Sequence, residues 1–280
     1  MPIWLTDALQ TLQESNPVRL AVPAVLFGIL LVVRHGWRGL RLSDETLRSV
    51  IVTLVLVIGN GIVASLLLFE VDLTVAPWST VGLPHLSPGV WLALPWPVGV
   101  VAAVFLIDVV DYWTHRLMHH SVLWGIHAVH HTDQRLTWMS AFRVHFLERP
   151  VMAVGYFVGL GWVGFPLSHL IAAAAIAYLH NRYVHCHLGW NHGPLAKVLA
   201  SPNWHRWHHS VDPAAHNKNF ANVFSCLDVV FGTYYNPGKC ETEVGLGEPS
   251  PGPVGLFFYP FTYWLRTAGS TDRPTKASKQ

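Results

Sequence analysis

The chain has 280 residues, of which 51% are hydrophobic and only 12% are charged, and its net charge is +2. Ordinary soluble domains carry about 25% charged residues, so this shortage of charge indicates a membrane protein. The sequence shows no clustered basic face and gives no support for nucleic-acid binding. Three cysteines without a C-x-x-C pair argue against a disulfide framework and favour a reduced, cytosol-facing location.

Four apolar regions predict membrane helices. They are residues 20–33, 49–69, 91–107 and 150–181. A helix needs about 20 apolar residues to cross the hydrocarbon core, and the second region meets this length without a single charge. The fourth region is too long for one crossing and is interrupted by glycines and a proline. We therefore predict a helical hairpin there.

The positions of the arginines predict the orientation. The loop after the first region carries Arg34, Arg38, Arg41 and Arg48, whereas residues 70–89 contain neither lysine nor arginine. By the positive-inside rule, the arginine loop is cytoplasmic. Counting crossings then brings three histidine-rich segments to the same side. The predicted fold is an all-α, polytopic membrane bundle of about four spanning or hairpin helices, with a cytosol-facing, histidine-rich helical cap.

The predicted regions follow one another along the chain. They are N-terminal transmembrane helices (1–107), a catalytic region (108–235) that includes the membrane hairpin (150–181), an interfacial aromatic segment (236–266) and a disordered tail (267–280). The tail is polar and lacks apolar periodicity. The aromatic run LFFYPFTYWL fits either an interfacial anchor or the wall of a substrate entrance.

Histidine is concentrated in three segments, HRLMHH (115–120), HAVHH (127–131) and HRWHH (205–209). Positions i, i+3 and i+4 share a helix face, so each segment can aim two or three imidazoles at one point. Neutral imidazole suits Fe, Zn, Cu and Ni. So many imidazoles exceed what one metal ion holds, and we predict two ions. The candidate ligands in these segments are His115, His119, His120, His127, His130, His131, His205, His208 and His209.

Carboxylates lie close to these segments in sequence. Asp111 precedes His115 by one turn, and Asp108 precedes Tyr112 by one turn. A metal-bound histidine commonly donates its other N–H to such a group. Glu148 and Asp228 are further candidates for this role. The alternative interpretation is that each of these acids is a helix-end or surface charge.

Residues 108–234 resemble the fatty acid hydroxylase/sterol desaturase superfamily of integral-membrane di-iron enzymes. The block DVVDYWTHRLMHHSVLWGIHAVHHTD is similar to the family's D-x-x-x-Y-x-x-H-R-x-x-H and L-W-x-x-H-x-x-H-H patterns. Downstream, HRWHH is followed by NF and DVVFGTYY, as in the family's last element. The resemblance implies that the clustered histidines are metal ligands, and that His185, joined by His180, supplies the middle ligand.

Two departures from the family pattern lie near these ligands. The stretch FRVHFLE resembles an R-x-H-P-x-E element in which Phe146 replaces the proline. His187 stands where relatives often have asparagine. His145 and His187 are therefore candidates for positions around the metals.

The resemblance implies O2 activation at two iron ions, followed by hydroxylation or desaturation of an unactivated C–H bond of a bilayer lipid. No residue distinguishes these two reactions. Zinc could occupy the same imidazoles. The sequence lacks a glycine-rich dinucleotide fingerprint, so an external donor (a cytochrome, a ferredoxin or a reductase) would supply electrons. The alternatives are a b-haem electron carrier and a membrane metal-binding or transport protein, whose sites would lie deeper in the bilayer.

Overall fold

The computed structural model describes residues 17–66 and 78–269. Within these ranges the chain is helical, and its only β-pairing is an isolated antiparallel bridge between Ser210 and Val244. The predicted all-α class is confirmed. The helices are α1 Pro17–His35, α2 Asp44–Leu66, α3 Gly89–Leu92, α4 Trp96–Met118, α5 Ser121–His131, α6 Glu148–Leu160, α7 Leu167–His185, α8 Pro202–His208, α9 Cys226–Val230 and α10 Pro253–Gly269.

Three segments are long and apolar enough to cross a membrane: Ala21–Leu40, Asp44–Val63 and Trp96–Met118. Only 11% and 17% of the first two are buried inside the protein, against 50% of the third. Large apolar side chains such as Val25 and Ile58 therefore face outward from α1 and α2. A contiguous apolar exterior of this kind is typical of a lipid-facing surface, with α4 as the central helix.

The helices α6 and α7 form a hairpin that packs along α4. Gly155 and Gly159 are four residues apart and face α4. Because they have no side chains, the backbone of α6 lies close to that helix. A Cβ on Gly155 would lie 2.2 Å from Thr114 Cγ2, and one on Gly159 would lie 2.4 Å from Val110 Cγ2. Small residues at this spacing let membrane helices approach closely. The hairpin is thereby held against the helix that carries the first histidines.

The two ends of α4 have different neighbours. At its N-terminal end, the hairpin turn meets the segment before α3, where Trp78 N donates to Gly161 O at 2.8 Å. At the histidine end, Arg34 Nε donates to Leu188 O at 3.3 Å, just after α7. The arginine-rich loop after α1 therefore packs beside the histidine-rich part of the chain.

A buried polar network ties α2 to the segment after α5. The carboxylate of Asp133 accepts hydrogen bonds from the hydroxyls of Ser49 and Ser140, each at 2.6 Å. The guanidinium of Arg143 lies 3.8 Å from this carboxylate and donates to the Ser49 carbonyl at 2.8 Å. Both charged side chains are almost fully buried.

The C-terminal part differs from the predicted boundaries. The aromatic segment forms α10, which packs on α5: Trp264 Nε1 donates to Val122 O at 2.9 Å. Other α10 side chains, such as Phe258 and Leu265, face outward. Residues 267–269, which were predicted to belong to the tail, continue this helix. The rest of that predicted tail, 270–280, lies outside the described residues.

Candidate metal centre

Two adjoining groups of histidine side chains lie at the C-terminal end of α4. Within each group the ligand-type ring nitrogens all lie within 4.8 Å of one another. The five-histidine group consists of His115, His119, His127, His131 and His208, and the four-histidine group consists of His130, His185, His205 and His209. Each group has the donor number and the proximity needed to hold a metal ion.

Each H-x-x-H-H segment serves both groups. On α5, His127 and His131 are one turn apart and join the five-histidine group, while His130 turns to the other group. In the α8 segment, His205 and His209 are one turn apart and belong to the four-histidine group, whereas His208 belongs to the five-histidine group. Residues at i and i+4 stack on one face of a helix, whereas i+3 is rotated from i+4 by about 100°. The two helices thus lie between the groups, and each supplies ligands to both.

The five-histidine group aims unpaired lone pairs at its centre. All five of its Nε2 atoms are buried and have no hydrogen-bond partner. In two of the rings the opposite nitrogen is held by a carbonyl: His115 Nδ1 donates to Phe220 O at 2.8 Å, and His208 Nδ1 donates to Lys218 O at 2.7 Å. A carbonyl oxygen can only accept a hydrogen bond, so each of these two rings carries its proton at Nδ1. The Nε2 atom of each ring then presents a lone pair. Buried lone pairs of this kind suit a bound cation.

The four-histidine group brings its Nε2 atoms together directly. His185 Nε2 lies 3.1 Å from that of His130 and 3.0 Å from that of His205. The Nε2 atoms of His205 and His209 are 3.2 Å apart. Ligand nitrogens around a tetrahedral ion, with bonds of about 2.0–2.1 Å, would be roughly 3.3 Å apart. The residues present therefore fit a metal ion in this group as well.

Burial lowers the pKa of imidazoles in both groups. It lowers the pKa of His208 to about 3 and that of His185 to about 4, from the ordinary value near 6.5. The pKa of His209 is also lowered, first by burial and then by the charge of neighbouring histidines. A neutral ring is the form that binds a metal, so the fold favours the ligand state at neutral pH.

Among the predicted acids, Glu148 contacts a grouped histidine. Its Oε2 lies 3.4 Å from His127 Nδ1, and both side chains are buried. Asp111 does not make its predicted histidine contact. Its carboxylate faces α6 instead and accepts the hydroxyl of Tyr156 at 2.5 Å.

Asp108 and Asp228 act on the backbone rather than on imidazoles. Asp108 accepts the N–H groups of residues 222, 223 and 224 at 2.7, 3.0 and 2.5 Å. Asp228 accepts those of Phe220 and Ala221 at 2.8 and 2.9 Å. This clamped strip of chain carries the Phe220 carbonyl that holds His115. The two acids therefore position a ligand through the main chain, and not by the direct contact predicted for them.

Four predicted histidines lie outside both groups. His120 is exposed at the start of α5, because the chain turns there between two helices, and its Nδ1 accepts Val122 N at 3.5 Å. His180 Nδ1 donates to Asn222 O at 2.9 Å, on the side of α7 away from the four-histidine group. His145 Nε2 donates to Phe257 O of α10 at 2.9 Å. His187 follows the end of α7 and is exposed.

A cavity of about 110 Å³ reaches the five-histidine group. His119, His131 and His208 form part of its wall. The rest of the wall is mixed: Trp124 and Tyr263 are aromatic, whereas Ser121, Ser210, His216 and Asn217 are polar. Tyr263 belongs to α10, so the aromatic segment takes part in the wall as well as facing outward. The cavity is a route by which a reactant can reach the histidines.

Comparison with known proteins gives a consistent result. The fatty acid hydroxylase family model matches residues 100–233. An ornithine lipid hydroxylase of Rhizobium tropici is 30% identical over 260 residues, which cover 88% of this chain and 75% of that protein. This chain belongs to the fatty acid hydroxylase family. The predicted resemblance is thereby confirmed.

Other relatives of this fatty acid hydroxylase family member are monooxygenases. Alkylglycerol monooxygenase of Danio rerio is 28% identical over 194 residues, covering 63% of this chain and 40% of that protein. The Homo sapiens alkylglycerol monooxygenase is 28% identical over 151 residues, covering 50% of this chain and 32% of that protein. The chain thus spans well under half of these longer relatives. No solved structure is significantly similar to it. With three apolar helices and these relatives, it is an integral membrane protein of an oxygenase family.

Proposed function

We propose that this chain is a membrane-bound di-iron oxygenase that uses O2 to hydroxylate an unactivated C–H bond of a lipid. The observation that carries the proposal is the convergence of nine imidazoles, five in one group and four in the other, at the end of a membrane helix. An unactivated C–H bond offers no acid or leaving group for a side chain to act on, so a redox metal must supply the chemistry. Two bound iron ions would activate O2 and take the hydrogen.

The chain's own residues would hold these ions in a fixed coordination. Each group would bind one ion through its Nε2 lone pairs. The carbonyls of Phe220 and Lys218 and the carboxylate of Glu148 would keep the ring protons on Nδ1. Such outer partners set the tautomer and the orientation of ligand rings. Zinc could fill the same positions, since imidazole sites bind it more tightly than ferrous iron.

The cavity beside the five-histidine group would receive the reacting carbon. Its wall includes Trp124, Leu246 and Tyr263, against which a hydrocarbon chain could pack beside the imidazoles, while Ser121, Ser210 and Asn217 make the rest of the wall polar. The side chains of α10 that face outward would lie in the interfacial layer of the bilayer. A lipid could then reach the cavity past this helix.

Hydroxylation is supported over desaturation by the relatives, which are named as a hydroxylase and monooxygenases. Inserting one oxygen atom from O2 leaves the other as water, which requires a pair of electrons and two protons from outside the substrate. We propose that a cytochrome, a ferredoxin or a reductase delivers these electrons.

We propose that the histidine groups face the cytoplasm, and the packing of the arginine-rich loop supports this orientation. Arg34 contacts the chain just after α7, so this loop and the groups lie at the same end of the bundle. Short loops rich in arginine are retained on the cytoplasmic side of membranes. Soluble electron donors of the cytoplasm would then have access to the centre.

The alternative functions account less well for the site. A b-haem needs two facing histidines, whereas the structure gathers nine. A transport site would lie near the middle of the membrane helices. Here the groups begin at His115, in the last turn of the 23-residue helix α4.

The test is expression of the full chain in a host, with lipid extracts compared by mass spectrometry under ¹⁸O2. Ornithine lipids and alkylglycerols are the first candidates, since relatives are named for them. We expect a lipid that gains one labelled oxygen atom. A His208→Ala variant should lose the product, while His85→Ala, exposed and outside both groups, should retain it. Failure of metal-loaded protein to label any lipid, with reductant and donor supplied, would contradict the proposal.

A further inference from the structure

A second cavity, of about 230 Å³, lies between the end of α1, the end of α7 and the start of α8. It shares no lining residue with the cavity at the five-histidine group. Three permanently charged side chains line it, those of Arg34, Arg206 and Lys239, and no aspartate or glutamate does. His185 of the four-histidine group also forms part of its wall.

The two guanidinium groups have no carboxylate partner among the residues that the structure describes. Arg34 donates to Leu188 O at 3.3 Å, and Arg206 donates to Thr242 O at 3.4 Å. Each of these contacts uses one of the five donors that an arginine carries. Both guanidinium charges therefore remain beside the cavity without a carboxylate to neutralise them. Lys239 pairs with Glu241 at 2.8 Å, but both are exposed, and such surface pairs hold a lysine weakly.

The position of the cavity relates it to the membrane surface. Arg34 lies near the end of the membrane-crossing segment Ala21–Leu40. Arginines at this position of a membrane helix lie at the level of the lipid headgroups. Phosphate and carboxylate groups are concentrated in this layer, and the planar guanidinium pairs with either through two parallel hydrogen bonds.

We propose that this cavity binds an oxyanion, a phosphate or a carboxylate, held by Arg34, Arg206 and Lys239. The anion is either the headgroup of a membrane lipid or a free ion such as inorganic phosphate, because both present the same oxygens. This site is separate from the proposed oxygenation. It requires neither a bound metal nor turnover, so its test does not depend on the proposed function.

The experiment uses the full chain in nanodiscs of phosphatidylcholine. One arm titrates inorganic phosphate by calorimetry. A second arm compares thermal unfolding in discs with and without phosphatidylglycerol. Arg206→Gln and Lys239→Gln remove one charge each, and Arg206→Lys keeps the charge. Arg41→Gln is the matched control, since Arg41 is exposed in the same arginine-rich loop but does not line the cavity.

We expect one anion to bind in at least one arm, and Arg206→Gln to weaken it by roughly tenfold, as loss of a charge-assisted hydrogen bond would. Arg206→Lys keeps the charge but loses the planar pair of donors, so its affinity should lie between those of Arg206→Gln and the parent, and Arg41→Gln should bind as the parent does. Phosphate binding with no effect of phosphatidylglycerol would support a soluble ligand, and the converse would support a headgroup. No binding in either arm would overturn the proposal. An equal loss in Arg41→Gln would also overturn it, since that indicates general attraction to a basic surface. If Arg206→Gln fails to fold, Lys239→Gln carries the same test.

Discussion

The imidazole rings of His131 and His209 stack with their centroids 4.4 Å apart and their planes at 29°. The first belongs to the five-histidine group and the second to the four-histidine group. At this point the two groups are separated only by these two stacked rings. Ions bound in them would be close neighbours, and a change in either ring would affect both.

Replacement of His209 by alanine should empty the four-histidine group and weaken the other. We expect metal content to fall from two ions per chain to one or fewer, and activity to fall by more than the roughly 10–100-fold that loss of an outer partner causes. Elemental analysis of purified protein measures the metal. His120→Ala is the matched control, because His120 is exposed and outside both groups. Full metal content in His209→Ala would refute the assignment.

Glu148→Gln removes the negative charge beside His127 but keeps the shape of the side chain. The pair lies at 3.4 Å in a buried setting, so we expect metal affinity or activity to fall by about 10–100-fold. Competition with a chelator gives the affinity. Glu241→Gln, at an exposed glutamate, should leave it unchanged. Equal behaviour of the two variants would show that Glu148 does not orient the ring.

Asp228→Asn should destabilise the fold and displace His115. An amide has one acceptor oxygen and an NH2 group that cannot accept, so at least one of the buried N–H groups at residues 220 and 221 loses its partner. We expect a loss of about 1–3 kcal/mol in the free energy of unfolding, measured by denaturant titration of metal-free protein. Asp44→Asn, at the exposed start of α2, should cost less. An unchanged stability of Asp228→Asn would contradict the backbone clamp.

Gly159→Ala and Gly59→Ala should change stability in opposite directions. A Cβ at residue 159 meets Val110 Cγ2 at 2.4 Å, a side chain with little rotational freedom. Overpacking of this kind costs about 1–3 kcal/mol. A Cβ at residue 59 meets no atom within 4 Å, so helix propensity alone should stabilise that variant by up to about 1 kcal/mol. Thermal unfolding in detergent distinguishes the two, and equal shifts would contradict the close approach of α6 to α4.

The proposed orientation predicts which loops an impermeant maleimide can reach. With Cys186, Cys226 and Cys240 replaced by serine, a cysteine at Arg41 should react only after the cells are permeabilised. A cysteine at His85, in the loop beside the hairpin turn, should react in intact cells. Both positions are exposed, so access and not burial decides the result. The reverse pattern would place the histidine groups outside the cytoplasm.

Much of the fold and the family could be predicted from the sequence, because both depend on local patterns. Runs of apolar residues without charge indicated the membrane helices, and the structure has three of them. Histidines at i and i+4 share a helix face whatever the helix packs against, so the convergence of each such pair could be expected. The combined motifs of residues 108–234 also resembled the family, to which the chain belongs.

How the ligands divide between two groups was decided only by tertiary packing. Adjacent histidines such as His130 and His131 point to different groups because α5 lies between the two groups. The spacing in the sequence does not show which helices pack on each side of α5. The partners of the ring protons were equally hidden. His115 and His208 donate to the main-chain carbonyls of Phe220 and Lys218, and every residue has such a carbonyl. The partners of Asp108 and Asp228 could not be predicted for the same reason, because they are backbone N–H groups. Side-chain chemistry can be identified in a sequence, whereas a main-chain donor or acceptor becomes specific only when the fold places it beside its partner.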